Sequence, residues 1–409
     1  MQAPLKGITV IEMSTYVAAP VTARLLSDMG ADVIKIERPE GDPWRQTGKS
    51  YLPLRFSDEE NPVFDIYNSG KRHVALNVKT EEGMQALHRL LERADVFVTN
   101  TRPAALERLG LDAHTLREKY PALVYAILLG YGERGPDAAM PAFDTSAFWA
   151  RSGFLRDMSL QKENYDPVQA PYSIGDTVSG YVLTMEICSA LYRRERTGLG
   201  DVVKSGLFHN SIFTMGTMQI ITQPPFGRVY PTDRQGWDLI GGSYECSDGE
   251  WVFLSGYSSA LRPLFYKMIE REDLNTDERF ATPLDRWERR YEFFEIIRGA
   301  FLSKPSTHWL GLARELDLPL VRMGHFSDLS SDEQAWANGY VERVTFASGR
   351  QETMPATPIE MESVGTVRTV PAPPVGADTE AVLSEIGYTA PQILHMEQIG
   401  AAKIARNKK

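Results

Sequence analysis

The sequence predicts an α/β protein in which a Rossmann-like larger domain is joined to a smaller α+β domain. Apolar runs of strand length alternate with amphipathic helix patterns from the start of the chain to about residue 130. This alternation is typical of βαβ units built around a parallel sheet. The character changes after about residue 225, where Gly241-Gly242 and Asp248-Gly249 indicate turns. The length of 409 residues suggests two or three domains of roughly 100–200 residues each.

The first predicted domain begins with a strand and a helix. Gly7–Met13 is an apolar run of strand length, and Gly30 ends the helix pattern Val17–Met29 that follows it. A proline in the first turn supports a helix at Pro103–Leu109. The other strands and helices of this domain are predicted at Asp32–Glu37, Val74–Val78, Thr80–Ala94, Asp95–Thr99, Leu123–Leu128 and Val178–Arg196.

The second predicted domain contains a strand and two helices and ends near residue 325. The strand is Glu250–Ser255, and the helices are Leu261–Arg271 and Arg289–Leu302. A proline-rich stretch, Pro355–Pro374, then leads to a final helix at Thr379–Ile386. The chain contains no internal repeat, heptad run or low-complexity tract.

Composition and charge argue against several classes of protein. The chain has 44 Lys and Arg residues against 54 Asp and Glu residues, a formal net charge of −10, whereas nucleic-acid binding needs a basic surface. The two cysteines, Cys188 and Cys246, are too few for a disulfide framework or a cysteine-rich zinc site. The N-terminus lacks the apolar core of a signal peptide, and no apolar run approaches the roughly 20 residues of a membrane span. We therefore expect a cytoplasmic protein that binds neither nucleic acid nor membrane.

Three common ligand-binding motifs are absent from the sequence. No G-x-G-x-x-G follows the first strand, which disfavours a nicotinamide or flavin cofactor. The triplet Gly48-Lys49-Ser50 resembles the end of a P-loop, but Pro43 stands where the earlier glycine is required. The seven histidines are scattered and no H-E-x-x-H is present, so we expect no metal site.

Several segments, in this order and spacing, resemble the family III CoA-transferases. That family includes formyl-CoA transferase, the carnitine and bile-acid CoA-transferases, and the 2-hydroxyacyl-CoA transferases of amino-acid-fermenting anaerobes. The resemblance spans nearly the whole chain and is greatest to the 2-hydroxyacyl and aromatic-lactate enzymes. Its segments are Gly7–Pro20, Leu25–Pro39, Asn68–Arg72, Asn100–Pro103, Gly130–Gly132, Pro141–Asp144, Gly175–Asp176, Tyr192–Gly198, Ser243–Gly249, Pro374–Gly376 and Glu385–Tyr388.

The resemblance implies that Asp176 is the nucleophile. The family's nucleophilic aspartate lies just before the long helix that follows the Pro-x-Phe-Asp segment, and Asp176 occupies that place. Its carboxylate would form a mixed anhydride and then an aspartyl-CoA thioester, so that one difficult transfer becomes several easier steps. An aspartate before a helix is also a common N-cap, and the two roles are compatible.

The resemblance also implies a CoA site, which in an acidic protein needs locally gathered cations because CoA carries phosphate groups. Arg38 and Arg72 would meet the ADP end and its 3′-phosphate, and Arg108 would meet the other phosphates. Asn100 and Thr101 would line the path of the nucleotide or the pantetheine. The residues expected to bind CoA are Arg38, Lys71, Arg72, Asn100, Thr101, Arg102, Arg108, Tyr131 and Gly132.

Each acyl-transfer step forms an oxyanion that needs preorganised hydrogen-bond donors. Formyl-CoA transferase uses a glutamine in the segment that matches Ser14–Pro20, and here the matching residue is Val17. The resemblance therefore leaves the backbone N–H groups of Val17 and Ala18 as the candidate donors. A valine at this position also makes the pocket more apolar, which argues against a small diacid such as oxalate.

The acyl group is expected to be branched-chain or aromatic, as in isocaproate, 2-hydroxyisocaproate or phenyllactate. Phe148 and Trp149 follow the Pro-x-Phe-Asp segment and would form an apolar wall, although core packing on a helix explains them equally well. The residues Gly241 and Gly242 would close over Asp176, or they form a simple turn. Bile-acid transfer is the alternative substrate class.

Two other functions stand as alternatives. The α-methylacyl-CoA racemases carry a Gly-His-Asp triplet whose histidine exchanges a proton. The matching triplet here is Ala142-Phe143-Asp144, and phenylalanine cannot exchange a proton. A non-catalytic CoA-binding protein would have no need to retain Asp176 together with the basic positions.

The resemblance implies a two-domain subunit in an interlocked homodimer. The large domain would combine residues 1–210 with 330–409, and the small domain would span 225–325. An acyl-CoA would be the CoA donor and a free carboxylic acid the acceptor, with the active site between the large and small domains.

Overall fold

A seven-stranded sheet organises the larger part of the chain in this computed structural model, which describes residues 2–46, 60–160, 166–224, 226–227, 229–230, 233, 241–255 and 260–406. The strands are β1 (Thr9–Met13), β2 (Asp32–Glu37), β3 (Arg72–Leu76), β4 (Val96–Thr99), β5 (Val124–Leu129), β6 (Val202–Gly206) and β12 (Ala402–Lys403). Their order is β12-β3-β2-β1-β4-β5-β6, with β12 antiparallel to β3 and all other pairs parallel. The order reverses between β1 and β4, and ligands of α/β proteins bind at the carboxyl edge of such a switch point.

Helices and turns occupy the chain between these strands and after β6. A π-helix covers Asp144–Ala150, and a 3₁₀-helix covers Pro43–Gln46. The α-helices of this part of the chain are α1 (Ala18–Asp28), α2 (Pro62–Asn68), α3 (Glu81–Leu91), α4 (Pro103–Leu109), α5 (Ala113–Lys119), α6 (Phe154–Asp157), α7 (Ile174–Thr197), α8 (Leu207–Thr214) and α9 (Gly216–Ile221).

Burial explains why the apolar runs form a central sheet. All six residues of β5 are buried, and β2 is buried from Val33 to Glu37, as expected for parallel strands that are covered on both faces. The N-cap residue of α3 is Thr80, whose side chain accepts a hydrogen bond from the Gly83 N–H. The apolar face of this helix, which includes Leu87, joins the core that surrounds the sheet.

The predicted α/β class is confirmed, and most predicted elements are present with small shifts at their ends. The strand Asp32–Glu37 and the helix Pro103–Leu109 have the predicted bounds. The strand predicted at Val74–Val78 spans Arg72–Leu76. The long helix begins at Ile174 rather than at the predicted Val178, which places Asp176 inside it.

The chain divides into two compact units. The larger unit contains Met1–Phe154, Gln169–Ile221 and Ser330–Lys409, and the smaller unit contains Leu155–Val168 and Thr222–Leu329. The larger unit is therefore built from both halves of the chain. Residues 155–168, which lie within the predicted first segment of the large domain, belong to the smaller unit.

The smaller unit has an aromatic core beside a three-stranded antiparallel sheet. Its strands are β7 (Gly242–Glu245), β8 (Trp251–Leu254) and β9 (Leu320–Arg322), in the order β7-β8-β9. Tyr244 stacks on Phe301 with 4.6 Å between ring centroids, and Trp309 packs edge-on against Phe301 at 5.5 Å. Its helices are α10 (Arg262–Met268), α11 (Pro283–Glu288), α12 (Arg290–Leu302) and α13 (Ser306–Glu315), with 3₁₀-helices at Glu272–Asn275, Glu278–Phe280 and Phe326–Ser331.

The C-terminal part of the larger unit adds a hairpin and returns to the sheet. β12 ends this part by pairing with β3 at the edge of the sheet. Among the residues that the structure describes, each helix is too short or too polar to cross a membrane. The elements of this part are the antiparallel strands β10 (Val341–Thr345) and β11 (Gln351–Pro355) and the helices α14 (Glu333–Ala337), α15 (Thr379–Glu385) and α16 (Ala390–Gln398).

Candidate active site

The carboxyl ends of β1 to β4 border a cleft of about 440 Å³. Ser14 follows β1, Arg38 follows β2 and Asn100 follows β4. Because the carboxyl ends of parallel strands share one edge of the sheet, residues that are distant in sequence meet here. The predicted CoA-binding residues that line this cleft are Arg38, Asn100, Thr101 and Arg102.

A second cleft, of about 630 Å³, shares Asn100, Thr101 and Arg102 with the first and continues to the end of β5. Arg108 and Gly132 line it, as does Phe143. The two clefts together thus collect most of the residues predicted to bind CoA at one edge of the sheet.

Tyr131 precedes Gly132 in the chain and lies next to the second cleft. Its ring centroid is 6.0 Å from that of Phe208, and the guanidinium of Arg151 lies 5.4 Å above its ring. The aromatic and cation–π contacts fix the orientation of the Tyr131 side chain.

Lys71 and Arg72 are expected at the CoA site from the sequence, but the structure does not bring them to it. Arg72 is the first residue of β3, so it lies at the amino edge of the sheet, and its guanidinium pairs with Asp32 at 2.6 Å and with Glu385 at 2.8 Å. Lys71 is buried, and its ammonium contacts Glu12 Oε2 at 2.7 Å. Both cations are already paired within the protein, and we leave them out of the CoA site proposed below.

Asp176 lies in the first turn of α7. The N-cap residue of the helix is Ser173, whose φ of 70° is in the left-handed region and whose side chain makes no capping hydrogen bond. Asp144 supplies the acceptors instead: its Oδ2 accepts from the Ser173 N–H at 3.0 Å, and its Oδ1 accepts from the Asp176 N–H at 3.1 Å. The N-cap role considered for Asp176 is therefore wrong, because Asp144 satisfies these backbone donors from outside the helix.

The Asp176 carboxyl is partly buried and forms no ion pair within the part of the chain that the structure describes. Burial raises the pKa of Asp176 to about 7, and the charge of Asp144 adds to the rise. Burial also raises the pKa of Asp144, although the backbone hydrogen bonds that it accepts oppose this. Carboxyl groups with a pKa near 7 are typical of catalytic sites.

Gly175 lets α7 begin directly against the π-helix Asp144–Ala150. A Cβ atom at position 175 would lie 2.4 Å from Asp144 Oδ1, and the Phe148 ring would be closer still, at 2.2 Å. Any larger residue would therefore displace the side chains that hold the start of α7. Single turns of π-helix occur frequently at functional sites, and here the π-helix carries Asp144.

Phe148 and Trp149 are packed in the interior beside that turn. Their side chains are 1% and 8% exposed, and their rings lie 5.7 and 4.9 Å from the ring of Phe154. The two side chains therefore pack in the interior and stabilise the π-helix to which they belong.

The start of α1 lies next to α7, and its N-cap residue is Val17. Valine has no hydrogen-bonding side chain, so no side chain caps the first N–H groups of α1, which begins at Ala18. The two helices are in close contact, because Thr22 Oγ1 donates to the Gly180 carbonyl at 3.2 Å and a Cβ at Gly180 would lie 2.9 Å from the Ala18 oxygen. Gly180 is one helical turn after Asp176, so the start of α1 lies near that residue.

The turn that leads into α1 is held by side chains from two other loops. Tyr16 has a φ of 65°, which is uncommon for a residue other than glycine. Its N–H donates to Asp42 Oδ1 at 3.2 Å. The Thr15 N–H donates to Asn100 Oδ1 at 3.1 Å, and Asn100 Nδ2 donates to the Thr15 carbonyl at 2.7 Å. Asn100 thus positions the turn before Val17 in addition to lining both clefts.

A fully buried group of charged side chains lies next to that turn. We call its members, Glu12, Lys35, Asp42 and Lys71, the lysine–carboxylate cluster. The Lys35 ammonium contacts Glu12 Oε1 at 2.8 Å and Asp42 Oδ2 at 3.1 Å. Burial acts to raise the pKa of Glu12, but the charges of Lys35 and Lys71 hold it at about 2. Burial lowers the pKa of Lys71 to about 7.

Tyr67 is a site residue that the sequence analysis does not identify. Its ring packs in the cluster that contains Val17, and its side chain lines a cavity together with Thr177, the residue that follows Asp176. Burial raises the pKa of the phenol, and the charge of Asp176 contributes to the rise. The only sequence signal was its position directly before one of the family-like segments.

Gly241 and Gly242 lie in the smaller unit. Gly242 begins β7 with a φ of 146°, which favours glycine, and Gly241 forms the bend before it. Their closing role over Asp176 stays a prediction. The P-loop-like residues 48–50 lie outside the described residues.

Known proteins resemble this chain over nearly its whole length. The model of CoA-transferase family III matches residues 5–379. The chain is 37% identical over 392 residues to (R)-2-hydroxy-4-methylpentanoate CoA-transferase of Clostridioides difficile, covering 95% of this chain and 97% of the relative. It is 36% identical over 398 residues to cinnamoyl-CoA:phenyllactate CoA-transferase of Clostridium sporogenes, covering 96% of this chain and 95% of the relative.

Solved structures share the fold. The crystal structure of Rv3272 from Mycobacterium tuberculosis matches with a TM-score of 0.79 and 27% identity over 93% of this chain and 99% of that chain. A CaiB/BaiF family protein from Brucella suis matches with a TM-score of 0.78 and 25% identity over 94% of this chain and 100% of that chain. The mixed α/β fold with its large parallel sheet is therefore common to these proteins.

Proposed function

The chain belongs to CoA-transferase family III, and we propose that it transfers CoA from an acyl-CoA to a free 2-hydroxy acid through a covalent intermediate at Asp176. The observation that carries this proposal is the environment of the Asp176 carboxyl at the start of α7. This carboxyl forms no ion pair within the described residues, and burial raises its pKa to about 7. The names of the two relatives refer to 2-hydroxy-4-methylpentanoate and to phenyllactate. They support a branched-chain or aromatic 2-hydroxy acid as the substrate.

In the first half-reaction the ionised Asp176 carboxylate attacks the thioester carbonyl of the donor acyl-CoA. A carboxylate oxygen bonds to the acyl carbon, the carbon–sulfur bond breaks, and a mixed anhydride and the CoA thiolate result. The thiolate then attacks the aspartyl carbonyl, which releases the donor acid as a carboxylate and leaves an aspartyl-CoA thioester. The covalent intermediates divide one difficult transfer into easier steps.

The acceptor acid reverses this sequence. Its carboxylate attacks the aspartyl-CoA carbonyl, and the CoA thiolate leaves as a second mixed anhydride forms. The thiolate attacks the acyl carbon of the acceptor, which yields the new acyl-CoA and restores the Asp176 carboxylate. In each step one anion attacks and one anion leaves, so the scheme needs no proton transfer.

Each tetrahedral oxyanion in this scheme needs hydrogen-bond donors that are already in place. We assign this role to the backbone N–H groups at the start of α1, from Val17 and Ala18. No side chain caps them, and a helix N-terminus favours negative charge. The turn at Tyr16, fixed by Asp42 and Asn100, sets the direction in which these groups point.

CoA is proposed to lie along the two clefts at the carboxyl edge of the sheet. Three arginines gather positive charge there in a protein whose net charge is −10. The thioester end is placed where the second cleft reaches Phe143, because the next residue is Asp144, which bonds the Asp176 N–H. The residues assigned to CoA are Arg38, Asn100, Thr101, Arg102, Arg108, Tyr131 and Gly132.

The enzyme is proposed to work as a homodimer in the cytoplasm. Met185 and Tyr192 on α7 are 63% and 61% exposed, and Phe213 on α8 is 86% exposed. Exposed groups of large apolar side chains commonly mark protein interfaces. Sedimentation velocity should give about twice the chain mass of 45.9 kDa, and a monomer would contradict the dimer.

The test of the mechanism is CoA transfer by the wild type and by Asp176→Ala. With cinnamoyl-CoA as donor and phenyllactate as acceptor, mass spectrometry should detect phenyllactyl-CoA, and hydroxylamine should trap an adduct at Asp176. The variant should lose at least about 10⁴-fold in kcat, the scale seen when a nucleophile is removed, while CoA binding measured by calorimetry persists. The control Glu118→Gln, at an exposed carboxylate, should keep full activity.

Two outcomes would contradict the proposal. Transfer at the wild-type rate by Asp176→Ala would remove the nucleophile assignment. Incorporation of solvent deuterium at the α-carbon of an acyl-CoA, without CoA transfer, would instead favour a racemase, even though Phe143 has no proton to exchange.

A further inference from the structure

A cavity of about 200 Å³ in the larger unit borders the first two turns of α7. Thr177, which directly follows Asp176, belongs to its wall, so the cavity is next to the proposed nucleophile. The other walls come from α1, α2 and the segment 355–358. The side chains that matter here are the apolar Val21, Leu25 and Ile66 and the hydroxyl-bearing Tyr67, Thr177 and Tyr181.

The size of the cavity suits a short apolar group. Its volume is below the roughly 300 Å³ at which pockets for drug-sized ligands begin, but it is several times the roughly 30 Å³ of a water molecule. Val21 and Leu25 are buried and present methyl groups to it. Further along α1, the buried ion pair of Arg24 Nε with Asp28 Oδ1 at 2.7 Å limits its length.

Hydroxyl groups line the side of this cavity that is next to Asp176. The side chains of Tyr67 and Thr177 both belong to its wall. Thr177 Oγ1 donates to the Ser173 carbonyl at 2.7 Å, so its proton is already engaged. The Tyr67 phenol has one O–H donor and acceptor lone pairs, so it can form a hydrogen bond with a substrate hydroxyl.

We propose that this cavity holds the side chain of the 2-hydroxyacyl group and that Tyr67 hydrogen-bonds its 2-hydroxyl, which makes Tyr67 a specificity-determining residue. The proposal rests on the function proposed above. In the mixed anhydride the acyl carbon is bonded to an Asp176 oxygen, so the hydroxyl on the next carbon lies close to the start of α7. The side chain on that same carbon extends past Tyr67 toward Val21 and Leu25. The preferred ligand is a 2-hydroxy acid with a branched aliphatic or single-ring side chain.

The test compares two acceptors that differ only in the hydroxyl, 2-hydroxy-4-methylpentanoate and 4-methylpentanoate. The wild type should prefer the hydroxy acid in kcat/KM, and Tyr67→Phe should reduce this preference about tenfold, the value of one hydrogen bond. Activity with the deoxy acid should change little, because the ring that packs near Val17 remains. A purely structural role of Tyr67 would lower both activities and leave their ratio unchanged.

The matched control is Tyr181→Phe, which removes a hydroxyl from the same cavity one helical turn further along α7. It should leave the preference unchanged. A second variant, Ile66→Trp, fills the apolar wall and should reduce activity with phenyllactate more than activity with lactate, whose side chain is a single methyl group.

The outcomes separate this inference from the function on which it rests. An active enzyme whose hydroxyl preference is the same in Tyr67→Phe and the wild type would overturn the role of Tyr67. An equal loss of phenyllactate and lactate activity in Ile66→Trp would overturn the role of the cavity. A wild type that transfers CoA to none of these acids would overturn the proposed function, and this inference with it.

Discussion

Two groups of carboxylates in the larger unit, one fully buried and one that includes the partly buried Asp176, differ in their partners. In the lysine–carboxylate cluster, Glu12 lies between the ammonium groups of Lys35 and Lys71 at 2.8 and 2.7 Å. In the acidic pair, Asp144 and Asp176, neither carboxylate forms an ion pair within the described residues, and the charge of Asp144 acts on Asp176. The pKa of Glu12 is held at about 2, whereas burial raises that of Asp176 to about 7.

The difference shows how burial serves two purposes in one unit. A buried carboxylate with two cations stays ionised, keeps its geometry and holds the turn before α1. A partly buried carboxylate without a cation is poorly solvated as an anion, so it is a stronger base and can act as a nucleophile. We therefore expect changes in the cluster to affect stability and changes in the acidic pair to affect the pH dependence of activity.

The largest expected effect is on stability, from Lys35→Met. Removing the ammonium leaves the buried charge of Asp42 uncompensated and leaves Glu12 with Lys71 alone, which should lower the free energy of unfolding by about 3–5 kcal/mol. Urea unfolding followed by circular dichroism measures this. The control Lys79→Met, at an exposed side chain, should change it by less than about 0.5 kcal/mol. If the two variants were equally stable, the cluster would have no structural role.

The next effect concerns the pH dependence of transfer and tests the acidic pair. The attacking form of Asp176 is the carboxylate, so the wild-type rate should rise with pH around the pKa of about 7. Asp144→Asn removes the like charge and should move this midpoint to lower pH. The same variant keeps only one of two carboxylate acceptors at the start of α7, which should cost about 1 kcal/mol of stability. A midpoint that does not move would show that the charge of Asp144 does not influence the pKa of Asp176.

A smaller effect, of opposite sign, is expected from Asp176→Asn. The folded-state pKa is raised from 3.8 to about 7, so the wild type loses stability as the pH rises between these values. The neutral amide avoids this loss. Each pKa unit corresponds to about 1.4 kcal/mol, and solvent screening at the partly exposed group reduces the gain to about 1–2 kcal/mol at pH 8. Thermal unfolding at pH 4 and pH 8 should show the variant's advantage growing with pH; an advantage independent of pH would contradict this origin.

The smallest effect separates paired from unpaired cations. Arg72 is engaged by Asp32 and Glu385 at the amino edge of the sheet, so Arg72→Ala should leave the KM for acyl-CoA unchanged and cost less than about 1 kcal/mol of stability. Arg38 is exposed in the first cleft, and Arg38→Ala should raise that KM severalfold without affecting stability. Steady-state kinetics on both variants measures the KM for acyl-CoA. If the two variants had the same KM, Arg38 would not belong to the CoA site.

Much of the fold was predictable because strands and helices follow local patterns. The apolar run Asp32–Glu37 and the helix with proline at its start, Pro103–Leu109, have the predicted bounds. β6 and β12 were not predicted, because Val202–Gly206 is half polar and Ala402–Lys403 has only two residues, and both form by pairing with distant strands. Such pairing has no local sequence signal.

Part of the site was predictable as well, and the remainder was not. Asp176 is marked by its place before an apolar helix pattern. Asp144 ends a family-like segment, but the sequence gives no sign of its bond to the Asp176 N–H, because the two residues are 32 positions apart. Tyr67 carries no motif, yet it lies between Val17 and the start of α7.

The sequence by itself determined the α/β class, the order of most elements and the family. These follow from the periodicity of apolar residues and from short segments that are read along the chain. Only the tertiary structure decided which charges are paired. Lys71 pairs with Glu12, and Arg72 pairs with Asp32 and Glu385. Asp176 forms no ion pair within the described residues. Hydrogen bonds and Coulomb interactions depend on distances of a few ångströms through space, and the separation of residues along the chain does not contain those distances.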